Sequence, residues 1–414
     1  MMTSLLVLAA MGCSQHSNSA INVRIEKTSR GFALTRAGKP FVIKGAGGNS
    51  SLQLLRECGG NAVRTWGADD LAARLDNAQK HGLVVVAGIW LLHGDGMDYG
   101  DPTKVAAQKE QCKAIIEKFK DHPALLMWSF GNETEGFGGE TDPKIWHAIE
   151  DIAKMSKAID PNHPTMTVIA EAGGDRVPSI QKYCPSLDAV GINSYGGGST
   201  VVKRFKEAGG KKPVILTEFG PPGSWETGKT EWGAPFEMTS TEKAAFYRST
   251  YTKSVVDQAG SCLGSFAFLW SSKVEATPTW FGMFLSDGSR LGAVDEMTQL
   301  WSGKASPNLC PRIEPIQSMN GLKFNVGSTQ NFHCTAKDPE GKPLTANWSL
   351  AEEVKPHPPG VDAPMPKQKH NAGLASLCSK RPLDWLIADL CKPQCAQTSM
   401  AQRTLCRDAI SKTE

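Results

Sequence analysis

The stretch that decides the fold is Leu125–Glu133, LLMWSFGNE. A run of strand length with no polar alternation stops at Gly131 and delivers an amide and a carboxylate. A strand without alternation is covered on both faces, which is the situation of a parallel strand between helices. Polar groups directly behind such a strand sit at its C-terminal edge, where a closed barrel presents its loops. Val214–Gly220, VILTEFG, is built in the same way and carries Glu218 at its end.

Outward from these two stretches, strand-like and helix-like patterns alternate, the mark of a parallel sheet with crossover helices. The expected strands are Phe41–Gly45, Asn61–Trp66, Leu83–Trp90, Leu125–Phe130, Met166–Ala170, Ala189–Ser194, Val214–Glu218 and Leu263–Trp270. Between them lie the expected helices Leu52–Glu57, Asp69–Gln79, Lys104–Lys120, Pro143–Ile159, Val177–Lys182, Val201–Glu207 and Thr241–Gln258, with one more around Gly292–Trp301. Eight such units indicate a (β/α)8 TIM barrel of the α/β class over residues 21–305. A β-hairpin in Ile21–Gly45 precedes it. A doubly wound open sheet is the competing arrangement, but Gly45-Ala-Gly-Gly-Asn49 does not fit the dinucleotide fingerprint.

The texture changes past Pro307. Leu322–Val326, Gln330–Ala336 and Leu344–Leu350 alternate like antiparallel strands, so 306–350 reads as a partial immunoglobulin-like β segment. Residues 351–414 turn Pro/Lys-rich and then Cys-rich, and are expected to be an irregular tail. At the other end, 1–20 reads as an export signal with a polar linker. Leu5–Met11 is apolar but too short to span a bilayer. Ala10-Met11-Gly12-Cys13 resembles a bacterial lipoprotein signal, with Cys13 as the lipidated residue. The expectation is an outer-membrane or periplasmic lipoprotein, held to the membrane through Cys13 alone; a plain secretory signal is the runner-up.

The net charge of +3 over 414 residues, with no long basic cluster, argues against a nucleic-acid partner. Eleven cysteines are spread too widely for a disulfide connectivity to be read, and Cys391 and Cys395 lack the Cys/His set of a metal site. Nine scattered His supply no cluster at the strand tips, which argues against a metal-dependent barrel hydrolase.

Glu133 and Glu218 are the candidate catalytic pair. Glycoside hydrolysis with retention needs two carboxyls about 5–5.5 Å apart, one acting as acid/base and the other as nucleophile. Strand tips four and seven of a closed barrel face one mouth, and the expected roles are acid/base for Glu133 and nucleophile for Glu218. Arg64 is the cation expected to hold the nucleophile ionised. Asn132 is expected to hydrogen-bond a sugar 2-hydroxyl. Trp66, Trp90 and Trp270, at strand ends, are candidate platforms for the apolar face of a sugar ring, Trp270 most of all. Glu135, Glu171 and Glu226 are expected to be solvated or to contribute to subsites.

In Asn132-Glu133, Thr217-Glu218-Phe219-Gly220, Asn61-Ala-Val-Arg64, His93-Gly94, Asn193-Ser-Tyr195 and Trp270 the chain resembles the clan A retaining glycoside hydrolases, and within them the catalytic barrel of family 2. The resemblance runs from about Ile21 to Ser302. It implies that His93 touches sugar, that Asn193 and Tyr195 contact substrate or nucleophile, that Trp270 floors the subsite before the cleaved bond, and that no cofactor or metal is needed. The chain departs from the family in having no sandwich domain before the barrel. With the loop Gly196-Gly-Gly198, that suggests an open cleft for a chain substrate. The expected activity is retaining hydrolysis of a β-linked polysaccharide or oligosaccharide. The alternatives are a β-glucan transglycosidase on the same barrel and a non-catalytic carbohydrate-binding surface lipoprotein.

Overall fold

The computed structural model describes residues 20–319, 321–323, 330–346 and 348–351, with short strands at 368–370, 374–376, 383–387 and 410–412. The expected signal segment and Cys13 lie outside the described residues, as does most of 351–414.

The chain opens with a hairpin of β1 (Val23–Thr28) and β2 (Gly31–Arg36), to which β3 (Lys39–Pro40) adds. Eight parallel strands then close into a barrel. They are β4 (Ile43–Gly47), β5 (Ala62–Arg64), β6 (Val84–Ile89), β7 (Leu125–Phe130), β8 (Thr165–Ala170), β9 (Ala189–Asn193), β10 (Val214–Phe219) and β11 (Cys262–Ala267). The last strand pairs with the first, Gly264 opposite Ile43. The helices are α1 (Leu52–Glu57), α2 (Leu71–Lys80), α3 (Pro102–Phe119), α4 (Pro143–Ile159), α5 (Arg176–Tyr183), α6 (Val201–Glu207), α7 (Ser240–Thr250) and α8 (Gly292–Ser302).

Helix starts follow local chemistry. Asp101-Pro102 and Asp142-Pro143 put a capping carboxylate before a proline that has no amide hydrogen to lose. Thr239 and Glu242 form a reciprocal capping box on α7. The single helix expected over Thr241–Gln258 instead passes from α into a π-helical turn at Tyr251–Val256.

The apolar residues divide into two layers. Ile43, Val86, Met166, Val168, Ile215 and Phe266 belong to a cluster on the barrel axis. A second, larger cluster lies between strands and helices and contains Leu125, Trp128 and Phe130 of β7. The hairpin completes the inner layer: Val23 and Leu34 are buried in the axial cluster. The Val23 amide donates to Asn162 O at 2.9 Å and the Phe32 amide to Gly260 O at 2.7 Å. An Arg36 guanidinium nitrogen donates to Pro123 O at 2.7 Å. Those acceptors precede β8, β11 and β7, so the hairpin stoppers the N-terminal end of the barrel. Each large apolar side chain buried there contributes roughly 1.5–3 kcal/mol. The opposite, C-terminal end is left open for chemistry.

Beyond the barrel, β12 (Arg312–Ile313), β13 (Gln317–Ser318), β14 (Gln330–Cys334), β15 (Ala336–Lys337), β16 (Leu344–Ala346) and β17 (Ser349–Ala351) form short antiparallel ladders. The described part of the expected strand at Leu322 is not extended into a ladder. The Ile313 amide donates to Thr241 Oγ1, which fastens this segment to α7. Cys58, Cys112, Cys184 and Cys262 are buried free thiols. Burial pushes the Cys112 thiol up to about 12, so it is inert packing.

A buried polar triad ties β7 to α4. Trp128 Nε1 donates to Asp160 Oδ2 at 2.8 Å, and His163 Nδ1 lies 2.8 Å from the same oxygen. Burial alone would raise the Asp160 carboxyl, but the hydrogen bond and charge of His163 and the Trp128 N–H outweigh it and hold it below the usual range. Asp160→Ala strands two buried partners and is expected to cost about 2–4 kcal/mol in urea unfolding at pH 7. A depressed folded pKa contributes stability above the ordinary carboxylate range and loses it as pH falls through the folded value. The gap between wild type and variant should therefore narrow in acid.

Candidate active site

The path of the chain after β7 fixes the first carboxylate. Gly131 turns with φ +72°, and a Cβ there would lie 2.2 Å from Thr134 Oγ1, so only glycine fits. Glu133 itself is left-handed, at φ +53°. That conformation costs a non-glycine residue on the order of 1–3 kcal/mol unless its surroundings hold it. Here they do. The Gly131 amide donates to Ile89 O of β6 and the Glu133 amide to Val168 O of β8, both at 2.9 Å.

The second carboxylate needs no turn, because Glu218 is inside β10 and buried. Each of its oxygens accepts at least one hydrogen bond. Arg64 Nη1, at 2.8 Å, and Trp66 Nε1, at 2.7 Å, donate to Oε1; the Tyr195 hydroxyl donates to Oε2 at 2.6 Å. Arg64 is the hub. Its Nη1 also donates to Thr217 O at 3.1 Å and its Nη2 to Asn132 Oδ1 at 2.5 Å. Its guanidinium carbon stands 5.1 Å from the Trp66 ring centre. Asn193 links the two acids. Its Nδ2 donates to Asn132 Oδ1 at 3.1 Å and Glu133 Oε1 at 2.6 Å, and its own Oδ1 is set by the Thr217 hydroxyl at 2.8 Å. With Oδ1 committed twice, Asn132 has its amide NH2 as the end for another group.

The two carboxyls have unlike surroundings. Burial, and then the charge of Glu218, push Glu133 up to about 7 against the lowering bond from Asn193. Tyr195 is raised well above its ordinary value, first by burial and then by the charge of Glu218, so it remains a hydroxyl donor. The mouth thus holds one carboxyl that keeps its proton well above the ordinary carboxylate range and a second met by three donors.

Seven of the expected residues meet in this network: Arg64, Trp66, Asn132, Glu133, Asn193, Tyr195 and Glu218. Trp66 enters as a hydrogen-bond donor to Glu218 rather than as an open sugar platform. His93 lies after β6 with its Nδ1 3.3 Å from Leu91 O and its ring 5.3 Å from that of Trp90. Trp270 is corrected. It is 1% exposed, packed against Phe284 and Trp301, with Nε1 donating to Ser51 O. No face of it is available to a sugar. The reason is where the strand ends: β11 stops at Ala267, and the aromatic next to it is Phe268. Phe268 packs against Trp66, Tyr195 and Phe281 at 5.6–6.0 Å between ring centres. The alternating Phe266-Ala-Phe268 within the run was the available signal.

Glu135 is corrected too, because it is not solvated. Its side chain is buried, accepts the Ala170 amide at 2.8 Å and pairs with Arg176 Nε at 3.0 Å, bracing the loop that carries Glu133. Glu171 accepts from Ser194 Oγ and Arg204 Nη2, and Glu226 accepts the Gly196 and Gly223 amides. Among the described residues no group of three or more His, Cys, Asp or Glu could hold a metal ion.

These features define a class, a closed (β/α)8 barrel with an asymmetric carboxylate pair at its C-terminal mouth. Residues 49–259 match the model described as glycosyl hydrolases family 2, TIM barrel domain, and the chain belongs to that family. Among its relatives is the probable mannan endo-1,4-beta-mannosidase F of Aspergillus flavus. It is 28% identical over 149 residues, which is 29% of this chain and 31% of that protein. The beta-glucuronidase of Sus scrofa is 24% identical over 226 residues, 47% of this chain and 32% of that protein. The solved beta-D-glucuronidase of Dictyoglomus thermophilum shares the fold, with a TM-score of 0.52 and 18% identity over 69% of this chain and 54% of that one. The chain therefore spans about a third of the length of these sequence relatives and about half of the solved structure.

The raised Glu133 carboxyl has a consequence for stability. Its contribution is fullest below the ordinary carboxylate value and is lost as pH rises through about 7. Glu133→Gln keeps an acceptor for Asn193 and removes that loss. The variant is expected to be more stable than wild type by roughly 1–3 kcal/mol at pH 8, with the gain absent at pH 4, by chemical denaturation.

Proposed function

We propose that the chain is a retaining β-glycoside hydrolase in which Glu218 is the nucleophile and Glu133 the acid/base. The observation that carries this reading is the division of labour between the two carboxyls: three donors on Glu218, one of them a guanidinium, and a desolvated Glu133 raised to about 7. In the first step a Glu218 oxygen attacks the anomeric carbon. The bond to the leaving oxygen breaks, and that oxygen takes the Glu133 proton. In the second step Glu133, now a carboxylate, takes a proton from water. The water oxygen bonds to the anomeric carbon, and Glu218 leaves with its electron pair.

The neighbours have parts in this cycle. The Arg64 charge and the Trp66 and Tyr195 hydrogens balance Glu218 as a free carboxylate and bear on it less once it is esterified. The Asn132 amide is the group for the sugar 2-hydroxyl, and Phe268 with Trp66 forms the apolar wall. Family membership supports glycosidic-bond cleavage. The relatives' names, an endo-1,4-beta-mannosidase and a beta-glucuronidase, support a β-linked substrate. We include in the proposal export on the segment ending at Cys13, with a lipid on that residue.

The test is azide rescue on aryl β-glycosides. Glu218→Ala is expected to lose nearly all turnover and to regain it with azide, giving a glycosyl azide of inverted configuration. Glu133→Ala is expected to lose about 10²–10⁴-fold on substrates with poor leaving groups, and to give a retained azide. Wild-type kcat/KM should fall as pH rises through about 7, as Glu133 loses its proton. If neither variant forms an azide adduct and both keep wild-type rates, the assignment is wrong.

A further inference from the structure

Two tryptophans at the barrel mouth take no part in the carboxylate network and are left open to water. Trp90 directly follows β6 and is 45% exposed; Trp225, in the loop after β10, is 59% exposed. Leaving large flat apolar surface in water is unfavourable, and exposed aromatic area beside a site points to a ligand. Their positions are related. In the closed ring of eight strands β6 and β10 are four steps apart in either direction, so the two indoles rise from opposite walls.

Trp225 is held in place rather than loosely carried. Its ring lies over Gly223, where a Cβ would stand 2.4 Å from Trp225 Cε2, so the glycine makes room for it. The next residue, Glu226, pins the loop by accepting the Gly223 amide at 2.7 Å and the Gly196 amide, from the loop after β9, at 2.9 Å. The Trp225 ring then meets Tyr195 edge to face, 5.8 Å between centres and 89° between planes. Tyr195 is the donor to Glu218. An unbroken path of contact therefore runs from an exposed, pre-set indole to the reacting carboxylate. An isolated surface tryptophan has no such construction.

We infer that Trp225 and Trp90 are sugar-stacking platforms on opposite sides of the carboxylate pair, and that the substrate is a β-linked glycan chain lying across the mouth and cut internally. The inference rests on the hydrolase reading for the cut, but not for the binding. A pyranose offers an apolar C–H face to an indole and its hydroxyls to water, and a β-linked chain repeats that face at every residue. A monosaccharide glycoside offers a single ring, which cannot stack on indoles of opposite walls at once. A polymer reaches both.

The experiment uses the full chain with soluble β-glucan, β-galactan and β-mannan, beside aryl β-monoglycosides. Wild type should release a spread of oligosaccharides from one polymer at early times. For Trp225→Ala, the ratio of polymer to aryl-glycoside kcat/KM should fall at least tenfold through a raised polymer KM, with Trp225→Tyr recovering most of it. Trp90→Ala should show the same split. Affinity electrophoresis of each protein in gels containing the polymers gives a readout independent of turnover: wild type should be retarded by one of them, and both alanine variants should migrate freely. Retardation without any turnover would leave the platforms standing and remove the hydrolase reading. Aryl-glycoside turnover with no polymer retardation, or with monosaccharide as the sole early product, would overturn this inference and leave that reading intact. Equal losses on polymer and aryl glycoside in Trp225→Ala would also overturn it, since the residue would then only brace Tyr195.

Discussion

Two carboxyls held close together and largely desolvated cannot both be ionised without a compensating cation, and that constraint organises the mouth of this barrel. Arg64, 1% exposed at its side chain, is the compensation, and both of its terminal nitrogens are engaged. One nitrogen serves Glu218 and the Thr217 carbonyl, and the other serves Asn132. A lysine ammonium is a point charge and lacks the planar geometry to hold both sides at once. With the cation committed to Glu218, Glu133 is left with burial and a facing negative charge, and it holds its proton up to about pH 7. The asymmetry that the proposed double displacement needs follows from where one guanidinium is placed.

The rest of the fold reads as the support for that placement. The hairpin closes the far end of the barrel, so that its axis is filled with side chains and the strand tips are held apart. The left-handed turn at Gly131–Glu133 is secured by amides bonded to β6 and β8. Glu135 and Arg176 lock the loop beyond it. Asn193, fixed by Thr217, spans the two acids. Six strands, β5 to β10, thus converge on one set of hydrogen bonds, and strain at Glu133 is carried by the network rather than by any one contact.

Much of this was legible in the residues because parallel strands buried on both faces give continuous apolar runs with abrupt polar ends. LLMWSFGNE and VILTEFG therefore reveal both the strand and its cargo. The reading failed where an apolar run does not show its own end. In Leu263–Trp270 the strand end at Ala267 shows only in the alternation Phe266-Ala-Phe268, a weak mark inside an apolar run, and the aromatic that meets Trp66 and Tyr195 is Phe268 rather than Trp270, two residues later. The mistake with Glu135 has another cause. A carboxylate beside a strand tip looks solvated until its partner is known, and Arg176 is 41 residues away in the chain. Pairings of that kind are set by the closed barrel and leave no local mark. The loop of Trp225 carries no strand or helix pattern, so its sequence does not show which wall of the mouth it lines.

The central claim is that unequal surroundings divide two equal side chains into nucleophile and acid. The stereochemistry of the first product tests it most directly. Proton NMR during the first minutes of turnover of an aryl β-glycoside, before mutarotation, reports the anomer released. The account predicts the β-anomer first, with the α-anomer growing in later. Release of the α-anomer first would mean a single displacement by water, with Glu218 acting as a base, and would contradict it.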